Sequence, residues 1–147
     1  MVTCKLSEET LDIITNSAEL VSANDTKITK RMYILMFEKY PSFKLLFKDA
    51  PEDQYMRLAE IISAYAVNIK KIEKLKPALV VIAERHVRLK IKPGHYYKVG
   101  TVFIEAMEDV LGSQATLEFI DAWREAYKYL SDILIEMEKE LYLAKEH

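Results

Sequence analysis

The stretch IAERHVRLKIKPGHYY, Ile82 to Tyr97, holds two of the chain's three histidines, on either side of Pro93. Its first half has helical spacing. His86 lies four residues after Ile82 and three before Leu89, so the three share one helix face. Pro93-Gly94 then makes a corner. His95 falls in the first turn of the next helix, beside Tyr96 and Tyr97, a position that is usually wet. His86 is therefore the inward histidine of the pair. On pattern alone a core histidine with a hydrogen-bond partner is favoured over a metal ligand. A single inward imidazole cannot build a structural zinc site, which takes four protein ligands. It can hold a haem iron from one side.

Outward from this stretch the helical period continues in both directions. Towards the N-terminus, Ser7 reads as a helix N-cap with Glu8 and Glu9 in the first turn, and Leu11, Ile14, Ala18 and Val21 repeat at helical spacing. Asn24 and Asp25 are expected to break that helix and cap a second, whose stripe is Ile28, Met32, Leu35 and Met36, with Tyr33, Phe37 and Tyr40 beside it. Pro41 ends it, because proline disfavours helical geometry in the residue before it. Pro51 is expected to start a helix with Leu58, Ile61, Ile62, Tyr65, Ile69 and Ile72. Pro77 starts the next, with Val81, Ile82 and Leu89 in its expected stripe. Beyond the corner, Val99, Phe103, Met107 and Val110 mark a helix that Gly112 stops. The last and longest runs through Leu117, Ile120, Trp123, Tyr127, Leu130, Leu134, Met137 and Leu141.

No stretch alternates with period two, and no fixed-length repeat or linker divides the chain. The reading is one all-α domain over residues 1–147, of six or seven helices. Three glycines and four prolines in 147 residues fit a few long elements with little punctuation. The unequal helix lengths suit a globular packing better than a regular four-helix bundle. A formal net charge of −2 argues against a nucleic-acid partner. The longest apolar run, Ala78 to Ala83, is too short to span a membrane. The N-terminal MVTCKLSEET has no apolar signal core, and the lone Cys4 has no disulfide partner within the chain. A cytoplasmic location is the expectation. His147 is the terminal residue.

Several chemistries lack their motif. There is no His-Glu-x-x-His, no Glu-x-x-His, no glycine-rich phosphate loop and no Cys-x-x-Cys-His for covalent haem.

Four segments, in order, resemble those of bacterial single-domain globins and the globin part of flavohaemoglobins. RMYILMFEKYPSFKLLF (Arg31–Phe47) resembles that family's second helix and the corner after it. DQYMRLAEIISAYAVNI (Asp53–Ile69) resembles its distal helix, IAERHVRLKIKPGHYYKVG its proximal helix and corner, and AWREAYKYLSDILIEMEKELY its terminal helix. The resemblance runs from about Ser7 to Tyr142. It implies a globin fold around a non-covalent haem b, with His86 as the iron ligand. It implies that Phe47 packs on the porphyrin, that Tyr33 and Gln54 are distal donors, and that Leu58 lies above the iron. Ile62, Val99 and Phe103 fall at pocket-lining positions, and Tyr96 and Glu138 at positions that hydrogen-bond around the proximal histidine. A carboxylate linked to the imidazole strengthens electron donation to iron. The chain departs from the family pattern at Gly94, where an acidic residue is common.

The function so implied is binding of O2, NO and CO, most simply in nitric oxide detoxification of the dioxygenase type. Because no flavin or nicotinamide domain follows His147, electrons are expected from an external reductase. The alternatives are an oxygen-binding, storage or delivery protein and a gas-sensing module.

Overall fold

The computed structural model describes residues 6–145, and Cys4 and His147 lie outside them. Among the described residues there are six α-helices and no strands. They are α1 (Glu8–Asn16), α2 (Ala18–Lys39), α3 (Gln54–Asn68), α4 (Lys76–Arg88), α5 (Pro93–Leu111) and α6 (Leu117–Lys145). Short 3-10 turns at Pro41–Phe47, Ile69–Leu75 and Gly112–Gln114 link them.

Ser7 caps α1 as expected, its hydroxyl accepting from the Thr10 amide at 3.1 Å. The next break differs from expectation. It falls at Ser17, and α2 runs uninterrupted through Asn24 and Asp25. Ser17 donates its hydroxyl to the Ile14 carbonyl, 2.9 Å away, and receives the Trp123 indole N–H. A carbonyl at the end of α1 is thereby satisfied where the chain bends. Asn24 instead bonds back to the Leu20 carbonyl, and Asp25 accepts from the Ser63 hydroxyl of α3 at 2.7 Å. Both polar side chains find partners without opening the helix, so their turn preference is overridden. Pro51 also misses its expected role. Residues 51–53 form a turn, and α3 starts at Gln54.

The core is built by α2, α3, α5 and α6, with α1 closing one side. Trp123, Tyr65, Ile28, Met36, Met107 and Val102 are fully buried there. Helix α4 stands outside it, packing on α6 and the Ile69–Leu75 turn through Leu79 and Ala83. The stripe expected on α4 is therefore displaced. Leu79, Ala83 and Val87 are the buried residues, whereas Val81 and Leu89 are exposed. The periodicity was right and its phase was wrong, because α4 buries only the narrow face that meets α6.

Two glycines are structurally demanding. Gly112 adopts φ 57°, ψ −128° at the end of α5, which side-chain-bearing residues avoid. At Gly100, a Cβ would sit 2.6 Å from Cε2 of Tyr127. That ring cannot swing away freely, since its hydroxyl donates to the Tyr96 carbonyl at 2.6 Å. Gly100→Ala should therefore destabilise the fold by about 1–3 kcal/mol, the cost of overpacking. Urea denaturation measures this, and an unchanged midpoint would show that α5 and α6 separate easily.

Candidate functional site

The site is assembled on the helices that flank the α3–α4 gap. No residue of α3 comes within 8 Å, Cα to Cα, of any residue of α4, although the two are joined only by the Ile69–Leu75 turn. Apolar side chains on both helices remain partly uncovered, Leu58 and Ile61 on the Gln54 side of α3 and Ile82 and Leu89 on the His86 side of α4. Large apolar groups left uncovered on two facing elements mark a place for an apolar ligand.

His86 sits in the last turn of α4, half-buried. Its Nδ1 lies 2.8 Å from the Tyr96 hydroxyl and 3.0 Å from Oε2 of Glu138, and the Tyr96 hydroxyl donates to the same Oε2 at 2.6 Å. The chemistry of the three groups fixes the proton. Tyr96 spends its only hydrogen on Glu138, so both oxygens facing Nδ1 can only accept, and Nδ1 must carry the proton. In the neutral imidazole the lone pair is then on Nε2, on the ring edge turned away from α5 and α6. Burial, and next the hydrogen bond to the Glu138 carboxylate, push the Tyr96 hydroxyl far above its ordinary pKa, so it stays protonated.

The helices place these groups for local reasons. Glu138 is 3% exposed, despite its charged neighbours Glu136 and Glu140. It shares one face of α6 with Tyr127, Ser131, Leu134 and Tyr142, at spacings of three and four residues. The corner that carries Tyr96 is held from α6 at two points. Tyr127 donates to the Tyr96 carbonyl at 2.6 Å, and Tyr142 donates to the Ile91 carbonyl at 2.9 Å. Neither clamp was foreseen from the sequence. The signal was there, since both tyrosines lie on the face of α6 that carries Glu138. His95 is the separate residue it was expected to be. Its Nδ1 accepts from the Lys92 amide at 2.8 Å, capping α5, and its ring meets Phe43 edge-on.

On the other side of the gap, Tyr33, Phe37 and Phe47 form an aromatic cluster, with Phe47 edge-on to Tyr33 at 5.3 Å between centroids. The Gln54 side chain lies close enough to the Tyr33 hydroxyl to favour its ionised form slightly. The cause lies one turn earlier on α2. The fully buried Thr29 donates to the Tyr55 carbonyl at 2.8 Å, which pins the first turn of α3 against α2 and brings Gln54 to Tyr33. Burial raises the Tyr33 pKa to about 12, against a smaller lowering by Gln54. At ordinary pH the hydroxyl is a permanent donor.

The remaining expected residues belong to the main core. Leu58 and Val99 are half-buried against it, Ile62 is 8% exposed, and Phe103 packs between Trp123 and Tyr127. The structure thus brings His86, Tyr96 and Glu138 into one cluster, and Tyr33, Gln54 and Phe47 into another.

The residues present fit a haem. Among the described residues no three His, Cys, Asp or Glu side chains converge as a metal site. A porphyrin brings four nitrogens of its own, so one imidazole with a free Nε2 is enough. His86 would hold the iron, and Phe47, Leu58 and Val99 would meet the ring. Among the described residues no helix is long and apolar enough to cross a membrane.

A six-helix packing with one outlying helix, a lone oriented imidazole and an apolar gap beside it defines the globin class. The chain belongs to the globin family, residues 30–134 matching it. It is 44% identical over 137 residues to an uncharacterised globin-like protein of Aquifex aeolicus, covering 93% of this chain and 97% of that one. It is 42% identical over 140 residues to a flavohemoprotein of Rhodopirellula baltica, covering 93% of this chain but only 34% of that protein. The chain thus spans about a third of the length of such flavohemoproteins. Among solved structures, an engineered carbene transferase from Rhodothermus marinus, provisionally assigned as a nitric oxide dioxygenase, superposes with TM-score 0.94 at 31% identity. That match covers 97% of this chain and all of the other.

Proposed function

We propose that this chain is a haem b globin that binds O2, NO and CO and acts in nitric oxide detoxification, oxidising nitric oxide to nitrate with electrons from a separate reductase. The observation that carries this reading is the hydrogen-bonded His86–Tyr96–Glu138 cluster, which aims a lone-pair Nε2 away from the core. A bound haem supplies the iron that takes the gas ligand and changes oxidation state. The protein does the rest. Tyr96 and Glu138 hold the proton on Nδ1 and make His86 a stronger donor. Tyr33, kept protonated by burial, and Gln54 present hydrogen-bond donors on the opposite side of the gap. The Phe37 and Phe47 rings packed on Tyr33 give its hydroxyl an apolar setting, in which a hydrogen bond to a ligand that gains negative charge is stronger. Two relatives support the assignment by what they are, a flavohemoprotein and a provisionally assigned nitric oxide dioxygenase.

The test is stopped-flow mixing of the oxygenated protein with nitric oxide and a reductant. Repeated turnover to nitrate supports the reading. A single turnover that leaves ferric protein with every reductase tried removes the enzymatic part and leaves an oxygen-binding protein.

Glu138→Gln tests the proximal cluster. Glutamine retains an acceptor for the Tyr96 hydroxyl but removes the carboxylate charge. The ferric state should lose stability, and the reduction potential should rise by ~59 mV for each tenfold change in the equilibrium. The iron–histidine stretch in the Raman spectrum should fall in step. If neither moves, Glu138 supports the fold and does not tune His86.

A further inference from the structure

The strongest unexplained feature outside the site is the charge on α4 and its flanks. Between residues 70 and 92 there are eight basic residues and two acidic ones, Glu73 and Glu84. The chain as a whole has 21 basic and 23 acidic residues, so the rest carries 13 against 21. One short segment is therefore strongly positive on a protein that is otherwise negative. All the basic side chains of this segment but Arg85 are exposed. Lys70 is paired with Asp12, and Lys92 lies over the Tyr142 ring. Lys71, Lys74, Lys76, Arg88 and Lys90 have no carboxylate partner among the described residues. Exposed Val80 and Val81 stand among them. Apolar side chains flanked by unpaired like charges, with Glu84 the single acidic residue of α4 beside them, have the make-up of a protein interface, where the charges guide approach and the apolar groups are covered.

We propose that this outer face of α4 is the docking surface for an acidic one-electron donor protein of the ferredoxin or flavodoxin type. The inference rests on the haem reading and adds the partner's chemistry and its place of contact. Position argues for an electron donor. His86 is on the same helix, and a helix with its side chains is only about 10–12 Å across. A donor seated on α4 is thus separated from the His86 ring by the thickness of one helix. Size argues for a compact partner, since the 13 residues of α4 span about 20 Å. A standard interface takes about 800 Å² from each partner. An extended polyanion such as a nucleic acid or a lipid surface would also meet the acidic remainder of the chain and be repelled there. The step is simple in balance. The reduced donor loses one electron, ferric iron becomes ferrous, and no bond or proton need move.

The experiment uses the haem-loaded protein and a plant-type [2Fe–2S] ferredoxin as the probe. Binding of oxidised ferredoxin is followed by calorimetry, and reduction by reduced ferredoxin in stopped flow. Both are measured between about 0.01 M and about 0.1 M salt, over which the screening length falls from ~30 Å to ~10 Å. Two triple variants are compared. Lys74→Glu, Lys76→Glu and Arg88→Glu reverse the α4 face. Lys27→Glu, Lys44→Glu and Lys48→Glu make the same change in net charge elsewhere. The expected result is a rate that falls at least ~10-fold with salt, the scale of electrostatic steering. The α4 variant should lose binding and a similar factor in rate at low salt, while the control variant loses neither. Reduction by dithionite should be equal in all three, which checks that the fold and haem are intact. Equal losses in both variants, or no salt dependence, would overturn the proposal. So would α4-dependent sedimentation with phosphatidylglycerol vesicles without ferredoxin binding, which would assign the face to a lipid surface. Absence of a Soret band is a separate outcome. It removes the haem reading, and the calorimetry still decides whether the face binds the acidic protein.

Discussion

His86→Ala protein should fail to take up haem into a defined complex. The wild type should show a sharp Soret band on stoichiometric addition, and the variant only the broad absorption of loosely held haem. The reason lies in the geometry. Nε2 of His86 is the only nitrogen that the proximal cluster presents to the gap, while Tyr96 and Glu138 are turned onto each other and onto Nδ1. The loss is also thermodynamic. Haem present at a hundredfold excess over its dissociation constant stabilises the native state by ~2.7 kcal/mol. For a domain of this size that raises Tm by roughly 5–11 °C. The variant should lose most of that rise, whereas its haem-free form should melt close to the wild type, because Tyr96 and Glu138 keep their bond to each other. Added imidazole should restore the band. A variant that binds haem like the wild type would show that another residue holds the iron.

Tyr33→Phe should speed oxygen dissociation by about 10- to 100-fold. A hydrogen bond to a ligand carrying charge is worth roughly 1.5–3 kcal/mol. Phenylalanine preserves the ring, so the contacts with Phe37 and Phe47 survive and only the hydroxyl is lost. Carbon monoxide, which gains little charge when bound, serves as the control, and its dissociation rate should change only by a small factor. The effect should be flat across ordinary pH, because burial holds the Tyr33 pKa near 12 in the wild type. If oxygen and carbon monoxide respond alike, the hydroxyl acts by filling space. If oxygen does not respond, Gln54 is the donor that matters.

Much of this was legible in the sequence, and particular residues show why. The six helices follow from period and punctuation. Pro41, Pro77, Pro93 and Gly112 mark boundaries that α2, α4 and α5 respect, because proline and glycine act through local backbone sterics. Where the signal was a side chain able to bond in more than one way, reading failed. Asn24 and Asp25 read as a break and are helical, since Leu20 and Ser63 offer them partners. Val81 and Leu89 read as buried and are exposed, since only packing sets which face of α4 meets α6.

The candidate site divides in the same way. Helical phase set His86 apart from His95, although the stripe it was placed on with Ile82 and Leu89 is not the buried one. It could not place Glu138, whose sequence neighbours are charged, on an inward face, nor show that one carboxylate oxygen meets both His86 and Tyr96. Those two contacts join α4 to α6 and α5 to α6 across 52 and 42 residues. The clamps from Tyr127 and Tyr142, the reach of Gln54 to Tyr33 and the gap between α3 and α4 are also contacts between distant segments. The amino-acid sequence by itself determined the helices and their order, because those depend on interactions within a few residues. The tertiary structure alone decided where the proton on His86 sits and which side of its ring is open, because that requires three helices to meet at one nitrogen.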